Sequence, residues 1–512
     1  MGGNAAAAGP DFSHGVKLAD IAEGATIGGR VGDEPILLSR IDGELFAIGG
    51  ACTHYGGALA EGLASGGNVR CPLHHACFDL KTGEVLRAPA LDPLDRWKVD
   101  VEGDLAFVRE KLRSAAPSEQ RTTEVARIII VGGGAAGLAC ANELRKLGYQ
   151  GAITMLSADQ DSPCDRPNLS KDYLAGTASE EWIPLRGDDW YGDSHIDLRL
   201  GVEVTAVDAE GRTVQLAGGA RLPFGRLLLA TGAEPNRLSS PGFDGENVFT
   251  LRSLADARAI VAVAKAGKRA AVIGSSFIGL EAAASLRKRE VEVDVVAPED
   301  VPFERVLGPE LGNFFKDLHE SNGVRFHLGR VAAAYDGSTV TLSDGAKVEA
   351  DFVIVGVGVR PRVGLAEAAG LAMGNGVVVD EYLETSASDI YAAGDIAAYP
   401  EPISGDRARI EHWAVAERQG QVAAANMLGI RTIFDSAPFF WTEQYGVTLR
   451  YVGHAAPADT AKVDGDVAGR NATVRYFEDG RQRAAASLNR DRQNLEDELA
   501  LEEAAVSAAP GQ

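Results

Sequence analysis

"RIIIVGGGAAGLACANEL", residues 127–144, runs from a wholly apolar β-branched stretch through a glycine cluster into an Ala/Leu-rich stretch of helical character. An unbroken apolar run suits a strand buried on both faces of a parallel sheet. Within the cluster, Gly132-x-Gly134-x-x-Gly137 has the spacing a pyrophosphate requires. The first glycine makes the tight turn, and the second lets the backbone approach the anion. The third lets the helix lie close on the strand, with the anion at the helix N-terminus. A strand before and a helix after give the pattern its weight. The next strand, "AITMLSADQD" (152–161), offers Asp159 to the ribose hydroxyls, one residue past the expected place, which Ala158 occupies.

The same texture returns in "KRAAVIGSSFIGLEAAASL" (268–286), with Gly274, Gly279 and Ser276 in the middle position. In the strand after it, Ala297 stands where a ribose carboxylate would often sit, and Glu299 follows two residues later. A carboxylate there repels the extra phosphate of NADPH and favours NADH, whereas the nearby Arg305 argues for NADPH. NADH is the expected donor, with NADPH left open. Two Rossmann-like units in one chain imply one bound flavin and one exchanging nicotinamide. "LLLATGAEP" (227–235), with Thr231 and Gly232, and "VIVGVGVRP" (353–361) read as strands ending in small-residue turns between domains. "SDIYAAGDIAAYP" (388–400) puts Asp395 just after a strand and a glycine, placed to accept from flavin ribityl hydroxyls.

The 512 residues are 45% hydrophobic, enough for several buried cores, and carry a formal charge of −23, which disfavours nucleic acid. No apolar run approaches the roughly 18 residues of a membrane helix. Five cysteines in so long a chain argue against a disulfide framework and fit a reducing cytoplasm. The predicted organisation is multidomain: a flexible tail at 1–14, a small all-β domain at 15–110 and a linker at 111–124. An α/β FAD-binding domain follows at 125–250 and 372–430, split by an α/β NAD(P)H-binding domain at 251–371, before an α+β domain at 431–512.

The all-β segment holds "ACTHYGG" (51–57) and "VRCPLHHACFD" (69–79). Cys52-x-His54, sixteen intervening residues, then Cys71-x-x-His74 gives each loop one sulfur and one nitrogen ligand. A Rieske [2Fe-2S] centre needs that mixture, because two cysteines hold one iron and two histidines the other. Zinc sites usually pair like with like, so a Cys2His2 zinc site is the weaker reading. His75 is expected to face solvent, and Cys77 to be a small apolar residue. Residues 15–110 resemble Rieske ferredoxins throughout. High-potential members of that class add a cysteine to each loop, where this chain has Gly57 and Leu73. The resemblance therefore implies a ferredoxin-type centre, at or below about −100 mV.

From about residue 125 onward the chain resembles the FAD/NAD-linked reductases of the apoptosis-inducing factor family, which includes the ferredoxin reductases of ring-hydroxylating dioxygenases. The glycine turns, "ATGAEP", "CDRPNLSK", "GLEAA" and "YAAGD" carry the match. The resemblance implies that Arg166 and Lys171 line the isoalloxazine, that Lys171 pairs with Glu281 as the catalytic pair, and that Trp413 and Trp441 lie close to the flavin. No redox cysteine pair accompanies the flavin turns, since Cys140 and Cys164 stand apart. The expected activity is NAD(P)H-dependent electron transfer through FAD to the chain's own Rieske cluster. From there electrons pass to an acceptor protein: an oxygenase, a cytochrome or another iron–sulfur protein. A homodimer is left open. The alternative is a redox signalling or interaction protein of the apoptosis-inducing kind. A Rieske oxygenase is disfavoured, because Glu411-His412 lacks the second histidine of an iron facial triad.

Overall fold

The computed structural model describes residues 9–112, 125–456 and 460–508. The expected tail over 1–8, the linker over 113–124 and the last residues, 509–512, lie outside the described residues. The N-terminal part is all β. A six-stranded antiparallel sheet runs in the order Val16–Lys17, Leu105–Leu112, Arg96–Glu102, Glu44–Gly49, Glu34–Ile41 and Thr26–Val31. A smaller four-stranded sheet, Leu63–Ser65 to Val85–Arg87, carries the second ligand loop. The boundaries differ from the expected ones at both ends. Residues 11–14, assigned to the tail, instead hold a turn whose Phe12 is fully buried, because Gly29 has no Cβ to bar its ring. The last strand runs through Leu112, two residues into the expected linker.

The first α/β unit has five parallel strands in the order Ile196–Arg199, Ala152–Leu156, Arg127–Val131, Arg226–Leu229 and Ile390–Ala392. The Ile128–Ile130 run lies at its centre with no exposed surface, as a continuous apolar run requires. Gly132, at φ 121°, brings its Cα against the Ala230 carbonyl, where a side chain would collide. The helix Ala135–Lys146 that follows packs along Trp413–Met427. Gly420 lets the two backbones touch at Ala136 and so sets Trp413 beside the glycine turn.

The second α/β unit repeats the plan with Val248–Phe249, Phe352–Val355, Arg269–Ile273, Glu292–Val296 and Val324–His327. At its turn Ser276 caps the helix Phe277–Lys288, accepting from Gly279 N and donating to the Gly356 carbonyl. Serine thus replaces the middle glycine without disturbing the turn. The small-residue turns that cross between the units pair as a two-stranded ribbon, Ala233 opposite Pro361. A five-stranded antiparallel sheet, Phe439 to Leu488, and the helix Asp491–Ala508 complete the chain.

Candidate functional site

A cavity of about 560 Å3 opens between the two α/β units and the C-terminal sheet. That is the size of a cofactor pocket. Gly134 and Gly232 form its wall at one dinucleotide turn and Ser276 at the other, with Arg166, Lys171 and Asp395 between them. A pyrophosphate-binding turn at each side suits one tightly held and one exchanging dinucleotide, so the residues present fit FAD and NAD(H). Lys171 Nζ lies 2.9 Å from the Glu281 carboxylate and donates to the Pro167 carbonyl at 3.1 Å. Glu281, nearly fully buried, also accepts from Ser170 Oγ at 2.5 Å and Thr442 Oγ1 at 2.7 Å. Three domains therefore fix one ammonium at the cavity wall.

The other expected cofactor residues divide. Trp413 and Trp441 line the cavity. Asp395 is buried and ion-paired to Arg252, a wall residue that no motif had pointed to. Thr231 has a structural task, its hydroxyl donating to the Arg362 carbonyl at 2.7 Å. Asp159 is exposed, 3.8 Å from Arg166, and Glu299 lies 3.8 Å from the exposed Arg305; neither belongs to the cavity wall.

The two ligand loops close alike: Cys52 N donates to Gly57 O at 2.9 Å, and Cys71 N to Ala76 O at 2.8 Å. They bring the expected ligands together as two pairs, nitrogen with nitrogen and sulfur with sulfur. The Nδ1 atoms of His54 and His74 face each other at 3.1 Å. Two nitrogens bound to one metal at about 2.1 Å would stand about that far apart. The Cys52 and Cys71 sulfurs form a second pair, with the Cys52 thiol donating to Cys71. That bond and the Leu73 and His74 N–H groups hold Cys71 below the usual thiol range. Burial holds the His54 imidazole down to about 3 and His74 well below its usual value, so both are the neutral form that ligates metal. The donor set fits a cluster with unlike ends. Gly57 and Leu73 are neighbours, and the leucine side chain fills the space a Cβ at 57 would need.

His75 departs from expectation. It is 1% exposed, stacked on Phe439 at 3.9 Å, with Nδ1 3.1 Å from Glu498. The β domain is docked on the reductase body, and His75 lies in the seam. Glu498 also receives Arg70 at 2.9 Å and Arg418 at 3.2 Å. Arg418 donates onward to the His75 and Ala88 carbonyls, and Arg450 to the Leu73 carbonyl at 2.9 Å. Arg70 and Arg87 reach Glu502 at 2.7 and 2.6 Å. Across this seam the His74 ring meets Trp441 with centroids 4.1 Å apart, while Tyr55 donates to the Asp165 carboxylate. Sequence spacing gave no signal for these contacts, which join residues from 80 to 432 positions apart.

Comparison with known proteins gives the same division. The pyridine nucleotide-disulphide oxidoreductase model matches residues 126–420, the Rieske [2Fe-2S] domain 15–98, and the reductase C-terminal domain 439–509. Apoptosis-inducing factor 3 of Homo sapiens is 33% identical over 477 residues, 89% of this chain and 78% of that protein. The anthranilate 1,2-dioxygenase system ferredoxin–NAD(+) reductase component of Burkholderia cepacia is 38% identical over 70% of this chain and 90% of its own length. Among solved structures, the covalent putidaredoxin reductase–putidaredoxin complex aligns with TM-score 0.72 at 33% identity, covering 74% of this chain and 93% of that one.

Proposed function

Because the chain belongs to the pyridine nucleotide-disulphide oxidoreductase family and carries a Rieske [2Fe-2S] domain ahead of it, we propose that it is a ferredoxin-reductase-type enzyme with its own electron acceptor built in. Its cofactors are FAD, NAD(H) and the [2Fe-2S] cluster. When bound, FAD would supply hydride acceptance from NAD(P)H and the cluster one-electron transfer. The chain's residues hold these groups and set the charge around them. Lys171, fixed by Glu281, presents an ammonium where negative charge develops, and Arg252 with Asp395 shapes the opposite wall. Cys52, His54, Cys71 and His74 would hold the cluster, with His74 against Trp441 of the cavity wall.

The observation that carries the reading is Trp441, one face of which lines the cavity while His74 lies 4.1 Å away. That contact supports transfer within one chain, and no second copy is needed for it. In this reading electrons then pass to an external acceptor protein, and the scarcity of cysteines favours a reducing compartment such as the cytoplasm. Anaerobic mixing of the holoenzyme with NADH should bleach the flavin and then raise the EPR signal of the reduced Rieske cluster, at a rate independent of protein concentration. A cluster that stays oxidised, or a rate that climbs with concentration, would refute the intrachain route. The coverage of the apoptosis-inducing factor 3 relative favours a second reading, a redox signalling protein. That reading expects a long-lived reduced flavin–NAD complex instead of turnover with a one-electron acceptor.

A further inference from the structure

A line of buried side chains runs from the Lys171–Glu281 pair away from the cavity, and the function proposed above gives it no task. Glu281, on the helix Phe277–Lys288, is held at one oxygen, Oε2, by Lys171 and Ser170. Its other oxygen, Oε1, accepts from Thr442 on the strand Phe439–Gln444, which also carries Trp441. Behind Thr442 stands Gln444, its amide nitrogen donating to Thr442 Oγ1 at 3.0 Å. The Gln444 carbonyl oxygen lies 2.6 Å from Nε2 of His319, near the end of the helix Glu304–Ser321. His319 Nδ1 faces the Tyr445 hydroxyl at 3.5 Å, and the two rings meet edge to face with centroids 5.0 Å apart. Thr442, Gln444 and His319 are each at most 1% exposed, so bulk water does not compete for these bonds.

Chemistry fixes the direction of every bond in this line. A carboxylate offers no hydrogen, so the Thr442 hydroxyl must give its single one to Glu281. The hydroxyl oxygen then accepts, which turns the NH2 end of Gln444 toward Thr442 and its carbonyl toward His319. Burial holds the His319 imidazole down to about 4, against the opposing bond to Gln444, so the ring is neutral and has one donor nitrogen. Facing a carbonyl, that donor is Nε2, and Nδ1 is left to accept from Tyr445. A hydrogen on Nδ1 instead would turn the amide over, and Thr442 would donate to Gln444. Glu281 Oε1 would then be a buried acceptor without Thr442, at the cost of its desolvation. We infer that His319 and Gln444 are positioning residues for hydride transfer: they hold the Thr442 hydroxyl on Glu281, and through Glu281 they set where the Lys171 ammonium stands. Neither belongs to the cavity wall. The inference deepens the function proposed above and rests on its hydride step.

Two measurements test it. Nitrogen NMR of the oxidised holoenzyme carrying isotope-labelled histidine gives the His319 tautomer without turnover, its signals identified by their loss in His319→Gln. The Nε2–H form is expected; the Nδ1–H form, or an imidazolium at neutral pH, would overturn the inference. Stopped-flow reduction of the flavin by NADH gives the second. Thr442→Val and His319→Phe should each slow the reduction at saturating NADH by about tenfold, less than loss of Lys171 itself, with the NADH concentration dependence unchanged. The double variant should be no slower than either alone, because both changes cut the same line. His319→Gln, whose amide can donate where Nε2 did, should recover most of the rate. Unchanged rates in the single variants, effects that multiply in the double variant, or a His319→Gln as slow as His319→Phe would each overturn it. Should His319→Phe not accumulate as holoenzyme, the tautomer and the Thr442→Val rate decide. If NADH leaves the wild-type flavin oxidised, it is the hydride step of the proposed function that fails, whatever the tautomer shows.

Discussion

Glu498→Gln should loosen the Rieske domain. In the native seam this buried carboxylate receives Arg70 at 2.9 Å, His75 at 3.1 Å and Arg418 at 3.2 Å, two of the three across the domain boundary. Burial opposes ionisation, yet His75, Arg418 and Arg70 together hold the carboxyl well below its usual range, so it is an anion. Removing one partner of a buried charge set costs about 3–5 kcal/mol, because the remaining cations stay desolvated. Glutamine keeps a hydrogen-bonding oxygen, which puts the loss near about 3 kcal/mol, or about 10²-fold in the docking equilibrium. The assay is NADH-driven cluster reduction in increasing urea, beside flavin reduction in the same mixture. With a slope of about 1–3 kcal/mol per M, the midpoint for losing cluster reduction should fall by about 1–3 M, before flavin reduction fails. Adding Arg70→Met, which removes a cation left with Glu502 as its one carboxylate, should cost less than the sum of the single changes. An unmoved midpoint in Glu498→Gln would refute the view that this carboxylate holds the domains together.

Lys171→Ala should slow flavin reduction by NADH on the order of 10²-fold while FAD remains bound, measured by stopped-flow bleaching of the flavin absorbance and by cofactor content; an unchanged rate would leave Glu281 holding an idle lysine. A redox titration should place the cluster at or below about −100 mV, near the low end of the Rieske range, since Leu73 occupies the space beside Gly57. A positive midpoint would contradict this. Asp165→Asn should stabilise the fold at neutral pH. A carboxyl raised from 3.8 to about 6 lends full stability below its unfolded value and loses it as pH rises through about 6. The gain above that pH should be about 2–3 kcal/mol and should vanish near pH 3.8, as read by denaturant melts.

The legible part of the chain was local. The glycine turns and the Cys-x-His and Cys-x-x-His pairs announce themselves because turn geometry and ligand reach act over a few residues. Lys171 and Glu281 were reached only through resemblance, yet they lie 2.9 Å apart. What stayed hidden depends on packing between distant segments. His75 follows a ligand, which made solvent its natural expectation, but Phe439 and Glu498 cover it. Phe12 stands among glycine, proline and polar residues with no periodic partner, and only the bare backbone of Gly29 shows where it goes. Asp159 and Glu299 sit at sensible distances past their turns, but spacing along a strand does not say which side chains reach the cavity wall.

The seam also sets how the chain responds to its medium. Reductases that meet a separate ferredoxin are steered by exposed charges, and ions in solution blunt that steering over about 8–10 Å at physiological strength. Here the charges that join the two partners, Arg70, Arg418 and Glu498, are shut away from mobile ions. On the proposed intrachain route, the first handover should thus keep its pace in media of very different salinity, leaving only the onward delivery to feel the salt.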